Sequence, residues 1–266
     1  MWKNIVRICV INILLSIPVV AQLQFGEPTV KEVLKPKNLF DEGYKRGFGF
    51  AFGINDFGIG VGMQYRIGLN SYTEGLINFK IAGLRDPNEL TYIDFYFGNS
   101  TIASKYQRVI TFPTTLGIKW RLFASQISDN FRVHTSMNIG PSFALTIPYF
   151  RDYNNNGYRE DDYSRYNINE IEPINDIFQG WGDAQSEFGW NGEFVLGIDF
   201  GDKFDRLQTL QFGYSWYYFN QGLQILEPKA PIINSSGNVS GLRAANDKVH
   251  FFGSAQITFI FGWMYN

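Results

Sequence analysis

Asp152, Asn154 and Asn156 stand at alternate positions, and Gly157 follows them. Oxygen-bearing side chains at that spacing, with a glycine for the sharp turn, open a calcium loop. Its twelfth position should be a bidentate carboxylate and is Tyr163 here; Asp161 or Asp162 would have to replace it, with Glu160 beside them. The competing reading is a solvated, turn-rich loop. A second constellation has hydrolase residue types: His134 and Ser136, with Glu187 or Glu193 on a neighbouring strand. The spacing puts His134 and Ser136 on one face of a strand. If that face is a barrel interior, a lipid acyl bond hardly reaches it, and the set reads as polar filling. His250 reads as an interior or rim hydrogen-bonding residue rather than a metal ligand. The glycines between residues 47 and 68 do not lie between a strand and a helix, so a phosphate-binding reading fails. Asn234-Ser235-Ser236 and Asn238-Val239-Ser240 match glycosylation acceptors only formally and read as turn composition.

The elements that must position these residues are strands. From Phe131 to Tyr149 the odd positions are apolar except Thr135 and Pro141, and the even ones are small or polar. A period of two over this length is a long strand with one oily and one wet face. The pattern recurs at about 47–55, 58–69, 72–83, 105–123, 187–200, 206–220 and 248–265. The outward set includes Phe143, Leu145, Phe194, Leu196, Phe212 and Phe259. Trp120, Trp190, Trp216, Tyr218, Trp263 and Tyr265 read as interfacial girdles rather than a ligand site. Eight strands bring both termini to one side. Short connections after the second, fourth and sixth strands face long ones at about 84–104, 149–186 and 221–247, and only the first hairpin is short on that second side. Thr91 to Phe97 reads as a β extension beyond the membrane, because a ninth spanning strand would break the alternation. The expectation is an all-β, antiparallel, up-and-down transmembrane barrel.

Residues 1–21 read as a secretory signal: Lys3 and Arg7 precede an apolar stretch at 8–20, and Val19-Val20-Ala21 offers a cut before Gln22. The single cysteine, Cys9, lies inside it, so the mature chain has neither disulfide nor thiolate chemistry. No later run approaches the roughly 20 apolar residues of a membrane helix. Residues 22–46 read as a periplasmic N-terminal tail or short plug without a clear element. A net charge of −2 gives no reason to expect nucleic acid, whereas 17% aromatic residues and 27 glycines suit a barrel wall.

With its strands placed, the chain resembles the small outer-membrane β-barrel proteins common in Bacteroidota and related bacteria. The resemblance rests on Phe112-Pro113, Leu116-Gly117, Lys119 to Phe123, Asp129 to Arg132, Gly140-Pro141-Ser142 and the closing Phe251-Phe252-Gly253. It implies a bacterial outer-membrane location, and periplasmic termini agree with the connection lengths. Outer-membrane lipids and the barrel assembly machinery are then the expected partners, with an extracellular ligand for the loops. It carries no catalytic motif. The expected role is a non-enzymatic barrel presenting surface loops; the alternatives are a narrow channel for small solutes and, third, a barrel enzyme acting on lipid. Eight strands enclose a space that side chains just fill. Arg66, Lys80, Lys119, Arg121 and Arg132 should therefore meet Glu74, Glu187, Glu193 and Asp199 in cross-barrel ion pairs, with the early glycines receiving long side chains from the opposite wall.

Overall fold

The computed structural model describes residues 36–93, 100–164, 167–170, 172–176, 178–201, 203–236 and 238–266. The expected signal, most of the expected tail and Asp94 to Phe97 lie outside the described residues, as do the side chains of Asp161 and Asp162. Eight long strands close a barrel: β1 (Arg46–Asn55), β2 (Gly58–Asn70), β3 (Thr73–Leu84), β6 (Gln107–Arg121), β7 (Phe131–Pro148), β10 (Gln185–Phe200), β11 (Arg206–Leu223) and β14 (Val249–Tyr265). Each pairs antiparallel with its neighbour, and β1 with β14 closes the ring without a free edge. Three two-stranded hairpins extend the long connections: β4 (Thr91–Ile93) with β5 (Ser100–Ile102), β8 (Asp161–Ser164) with β9 (Asn167–Glu170), and β12 (Lys229–Ile233) with β13 (Val239–Ala244). Thr91–Ile93 thus belongs to such an extension, outside the ring.

Alternation makes the wall two-faced. Met137, Ile139, Phe143, Phe194, Leu196 and Phe212 lie on the outside, each about half exposed, while Ser136, Asn138, Ser142, Val195 and Gln211 lie buried inside. An apolar exterior around a polar interior inverts a soluble protein and fits a lipid surrounding. The turns after β2, β6 and β10 and both described chain ends lie at one end of the barrel, here the turn end; the long connections and the tight β1–β2 turn lie at the loop end.

Residues 36–45 pack against the barrel, and one expectation, on the glycines, is corrected. Asn38 caps a turn by accepting the amides of Phe40 and Asp41, both at 3.0 Å. Leu39 is thereby pressed against Phe204, Leu207 and Met264 under the turn end. The glycines, in turn, take side chains from neighbouring strands rather than from the opposite wall. A Cβ at Gly62 would stand 2.8 Å from Cγ of Lys80, its register partner on β3, and one at Gly49 would stand 2.8 Å from Ile260 on β14.

Candidate functional site

The turn-end part of the lumen holds a charged layer. Arg66 reaches Asp199 at 3.3 Å and Glu74 at 3.8 Å, and Lys119 reaches the same two carboxylates at 2.5 and 2.8 Å. Neutral groups fill the remaining valences. Arg66 donates to Gln64 at 2.6 Å and to Thr209 at 3.0 Å, and Thr209 donates to Asp199 at 2.5 Å. Gln64 continues to Asn78, which donates to Thr115 and Asn138. A dense, satisfied network is what makes buried charge tolerable in so narrow a space. Nearer the loop end, Lys80 pairs with Glu193.

Three of the nine expected interior charges do not join these cross-barrel pairs. Arg121, the last residue of β6, binds Asp129 at 2.6 Å and the carbonyl of Lys37 at 2.7 Å, fastening the N-terminal turn to the rim. Arg132 stands opposite Asp199 in register but turns to the carbonyls of Asp129 and Gly201 and lies 4.3 Å over the Phe204 ring. Glu187 has the inward parity but lies two residues past Gly189, towards the loop end, where it has no ion partner among the described residues. Parity sets the face; height along the strand sets the partner.

Above the charged layer the lumen turns apolar. Phe57, Tyr217, Phe219 and Phe252 pack with Leu84, Val109, Leu223 and Ile225 into one buried cluster. The Phe252 ring meets Phe57 and Phe219 edge-on, with centroids 6.4 and 6.2 Å apart. Sequence reasoning missed this plug; the signal was the doubled aromatics Phe251-Phe252 and Tyr217-Tyr218-Phe219, where the polar face disappears. Two cavities among the described lumen residues measure ≈ 30 and ≈ 20 Å³, room for a water or two.

The hydrolase set does not assemble. His134 and Ser136 are both fully buried, Ser136 Oγ has no hydrogen-bond partner, and His134 lies 3.7 Å from Asp199 and 3.3 Å from Gln211. His250 faces the Phe219 carbonyl at 3.1 Å near the loop end.

In the β7–β10 connection the oxygens of the calcium motif are engaged by the loop itself. Both oxygens of Asp152 accept backbone amides, from Asn156 at 3.0 Å and Gly157 at 2.9 Å, and Asn154 also accepts from Asn156 at 3.0 Å. Asn154 and Asn156 turn their amino groups to Glu160, at 3.1 and 2.6 Å. The organising acid is Glu172, which is 1% exposed and accepts the amides of Tyr153 and Glu160 at 3.1 and 2.9 Å. Its distance along the chain hid it from motif reasoning. Among the described residues no group of three or more histidine, cysteine or acidic side chains is placed to hold a metal ion. Beside this loop lies an open cleft of ≈ 470 Å³ lined by Tyr106, Phe150, Arg151, Asp152, Tyr153 and Asp183.

The other long connections lock onto one another. Lys105 pairs with the buried Glu89, its backbone bridges Leu226, and Tyr106 and Gln107 both donate to the Ile225 carbonyl, at 2.8 and 3.1 Å. Burial holds the Lys105 ammonium below the ordinary lysine pKa, against the opposing hydrogen bond and charge of Glu89.

No protein-family model and no curated protein matches the chain. Among solved structures, it is similar to Ail, the attachment invasion locus protein of Yersinia pestis, crystallised with the heparin analogue sucrose octasulfate. The identity there is 9%, with 83% of this chain and 95% of that chain covered and a TM-score of 0.31. For the outer membrane protein OprG of Pseudomonas aeruginosa, identity is 10%, coverage 85% and 99%, and the TM-score 0.36. For CarO2 of Acinetobacter baumannii, identity is 12%, coverage 82% and 98%, and the TM-score 0.28. With its closed sheet, polar interior and apolar exterior, this chain is an eight-stranded antiparallel transmembrane β-barrel.

Proposed function

We propose that the chain is a non-enzymatic outer-membrane barrel with a sealed lumen that acts through its external loops, in a structural or surface-interaction role. One observation carries the reading: the lumen is closed at three successive levels. Leu39 and Met264 form a floor, the Arg66–Asp199 layer fills the lumen directly above it, and Phe219 and Phe252 plug the loop end. Solutes have no path through such a column, which leaves the loops to meet partners. Short turns belong on the periplasmic side of such barrels and long connections outside, so we assign the turn end, with both described chain ends, to the periplasm. Outer-membrane lipids and the assembly machinery are its partners in the membrane, and an extracellular ligand is sought at the loop end. Burial of His134 and Ser136, with Ser136 unbonded, argues against hydrolysis.

Recording in planar bilayers tests the seal. The purified barrel should be silent; steady, voltage-tolerant conductance would favour a channel and overturn the reading. On lipid substrates the wild type should show no turnover, and activity abolished by Ser136→Ala would restore the enzyme alternative.

A further inference from the structure

Along β7 the outward row runs Phe143, Leu145, Ile147. Phe143 is 52% exposed and Leu145 partly covered, yet Ile147 is 0% exposed. On a bare barrel wall Ile147 would face lipid. It is covered instead by a short 3-10 helix, Gln179–Asp183, from the β7–β10 connection. The contact is backbone on wall: a Cβ at Gly180 would stand 2.7 Å from Cγ2 of Ile147 and 2.9 Å from the Pro148 carbonyl. Only glycine permits so close an approach.

The approach is also fastened. The Asn175 amide donates to the Tyr149 carbonyl at 2.9 Å, and its own carbonyl accepts from Arg108 at 2.8 Å. Asp176 Oδ1 then takes the amides of Phe178 and Gln179, each at 2.7 Å, and starts the helix. Two residues after the helix the chain enters β10 at Gln185. The segment is therefore tied to the outside of the barrel at both ends.

Lying there, it hides one apolar residue and presents two larger ones. Phe178 is 76% exposed and Trp181 52% exposed, with ring centroids 5.7 Å apart. They continue an outward aromatic row on the same wall, where Phe143 meets Phe188 at 5.3 Å and Phe188 meets Trp190 at 6.0 Å. Ile147 stands roughly 14 Å further along the strand than Phe143, at about 3.4 Å per residue. Aromatic side chains among polar neighbours, just beyond an apolar belt, have the chemistry of the headgroup boundary. We infer that Phe178–Asp183 is a membrane-surface anchor: Phe178 and Trp181 seat in the lipid boundary at the loop end and hold the 149–184 connection against the membrane. The occupant of this face is lipid, because the face is continuous with the lipid-facing wall. The inference rests on the transmembrane fold and stands whether or not the lumen conducts.

Cys9 is the only cysteine, so one site can be labelled after Cys9→Ser. An environment-sensitive fluorophore on Phe178→Cys is read in phosphatidylcholine vesicles whose acyl chains carry bromine at chosen depths, with Ile233→Cys on the outer hairpin as reference. Emission at 178 should be blue-shifted and quenched several-fold more than at 233, most strongly by shallow bromines. Adding Gly180→Val should lift the segment and abolish the quenching, while heat-modifiable migration on gels shows the barrel still folded. Quenching at 178 no greater than at 233 would overturn the proposal. So would a blue shift that ignores the bromines, since protein contact would then shield the site.

Discussion

Arg66 Nη1 lies 3.3 Å from Asp199 Oδ1, although β2 and β10 are diametrically opposite in the ring of eight strands. The barrel is therefore one ion pair wide at this height. Arg66 is 1% exposed and Asp199 6%, so water contributes little to balancing either charge. Glu74 and Lys119 complete a cluster of two cations and two carboxylates, and that equality lets the charges share one desolvated space.

Removing one member should be costly. Asp199→Ala leaves Arg66 and Lys119 facing only Glu74, and breaking a buried pair from one side typically costs about 3–5 kcal/mol. Urea unfolding of the refolded barrel in vesicles measures it. A loss below roughly 1 kcal/mol, the scale of an exposed pair, would mean that water reaches the layer.

Outward residues should respond to an introduced charge according to their depth in the membrane. Leu196 is 51% exposed on the outer wall, whereas Val195 is 2% exposed inside. An arginine at a mid-bilayer outer site should cost about 2–4 kcal/mol and one near a rim about 0–1. Leu196→Arg should accordingly lose far more stability than Phe131→Arg at the turn-end start of β7, in the same unfolding measurement. Equal losses would place the lipid belt elsewhere.

The faces of these strands were legible because a period of two contrasts Leu196 with Val195 and Gly197, or Phe143 with Ser142 and Ala144. The inward parity of the charges followed, but their partners did not. Nothing near Arg66 points to a residue 133 positions away, because that meeting is set by strand register accumulated around the ring. Arg121 and Glu187 share the inward parity and differ from Lys119 and Glu193 only in height. The plug was invisible for the opposite reason: where Phe251 and Phe252 are both aromatic, alternation offers no contrast. Within the acidic loop, Asp152 and Asn154 could be read as ligands because the same oxygens serve an ion or a backbone amide equally well. Glu172, supplied from farther along the chain, contributes to the second arrangement.

That loop should be held by its own hydrogen bonds. Asp152→Ala removes the acceptor of two amides, and Glu172→Ala removes two more. Either change should expose residues 149–160 to limited proteolysis, equally with millimolar calcium and with chelator. Protection that appears only with calcium, and is lost in Asp152→Ala with Asn154→Ala, would reinstate an ion site.

The cap joining the β3–β6 and β11–β14 connections should tighten as pH rises towards the ordinary lysine value. Lys105 is 5% exposed, and burial lowers its pKa from 10.5 despite Glu89. Between the folded value and 10.5 the opened segment binds more protons than the closed one, so closure gains free energy with pH. Below the folded value the full penalty of burying the ammonium remains. Tyr106 works in the opposite sense: burial, then Asp152 and Glu172, raise its phenol, so its contribution falls as pH passes 10.0. Subtilisin cleavage within 85–106, scaled to cleavage of an unstructured peptide at each pH, should therefore slow over the interval in which pH approaches 10.0, the unperturbed tyrosine value, from below. Glu89→Gln removes an influence that raises the lysine pKa and should move the slowing to lower pH. Relative cleavage that is flat or accelerating over that interval would show that Lys105 is solvated and that the cap is open.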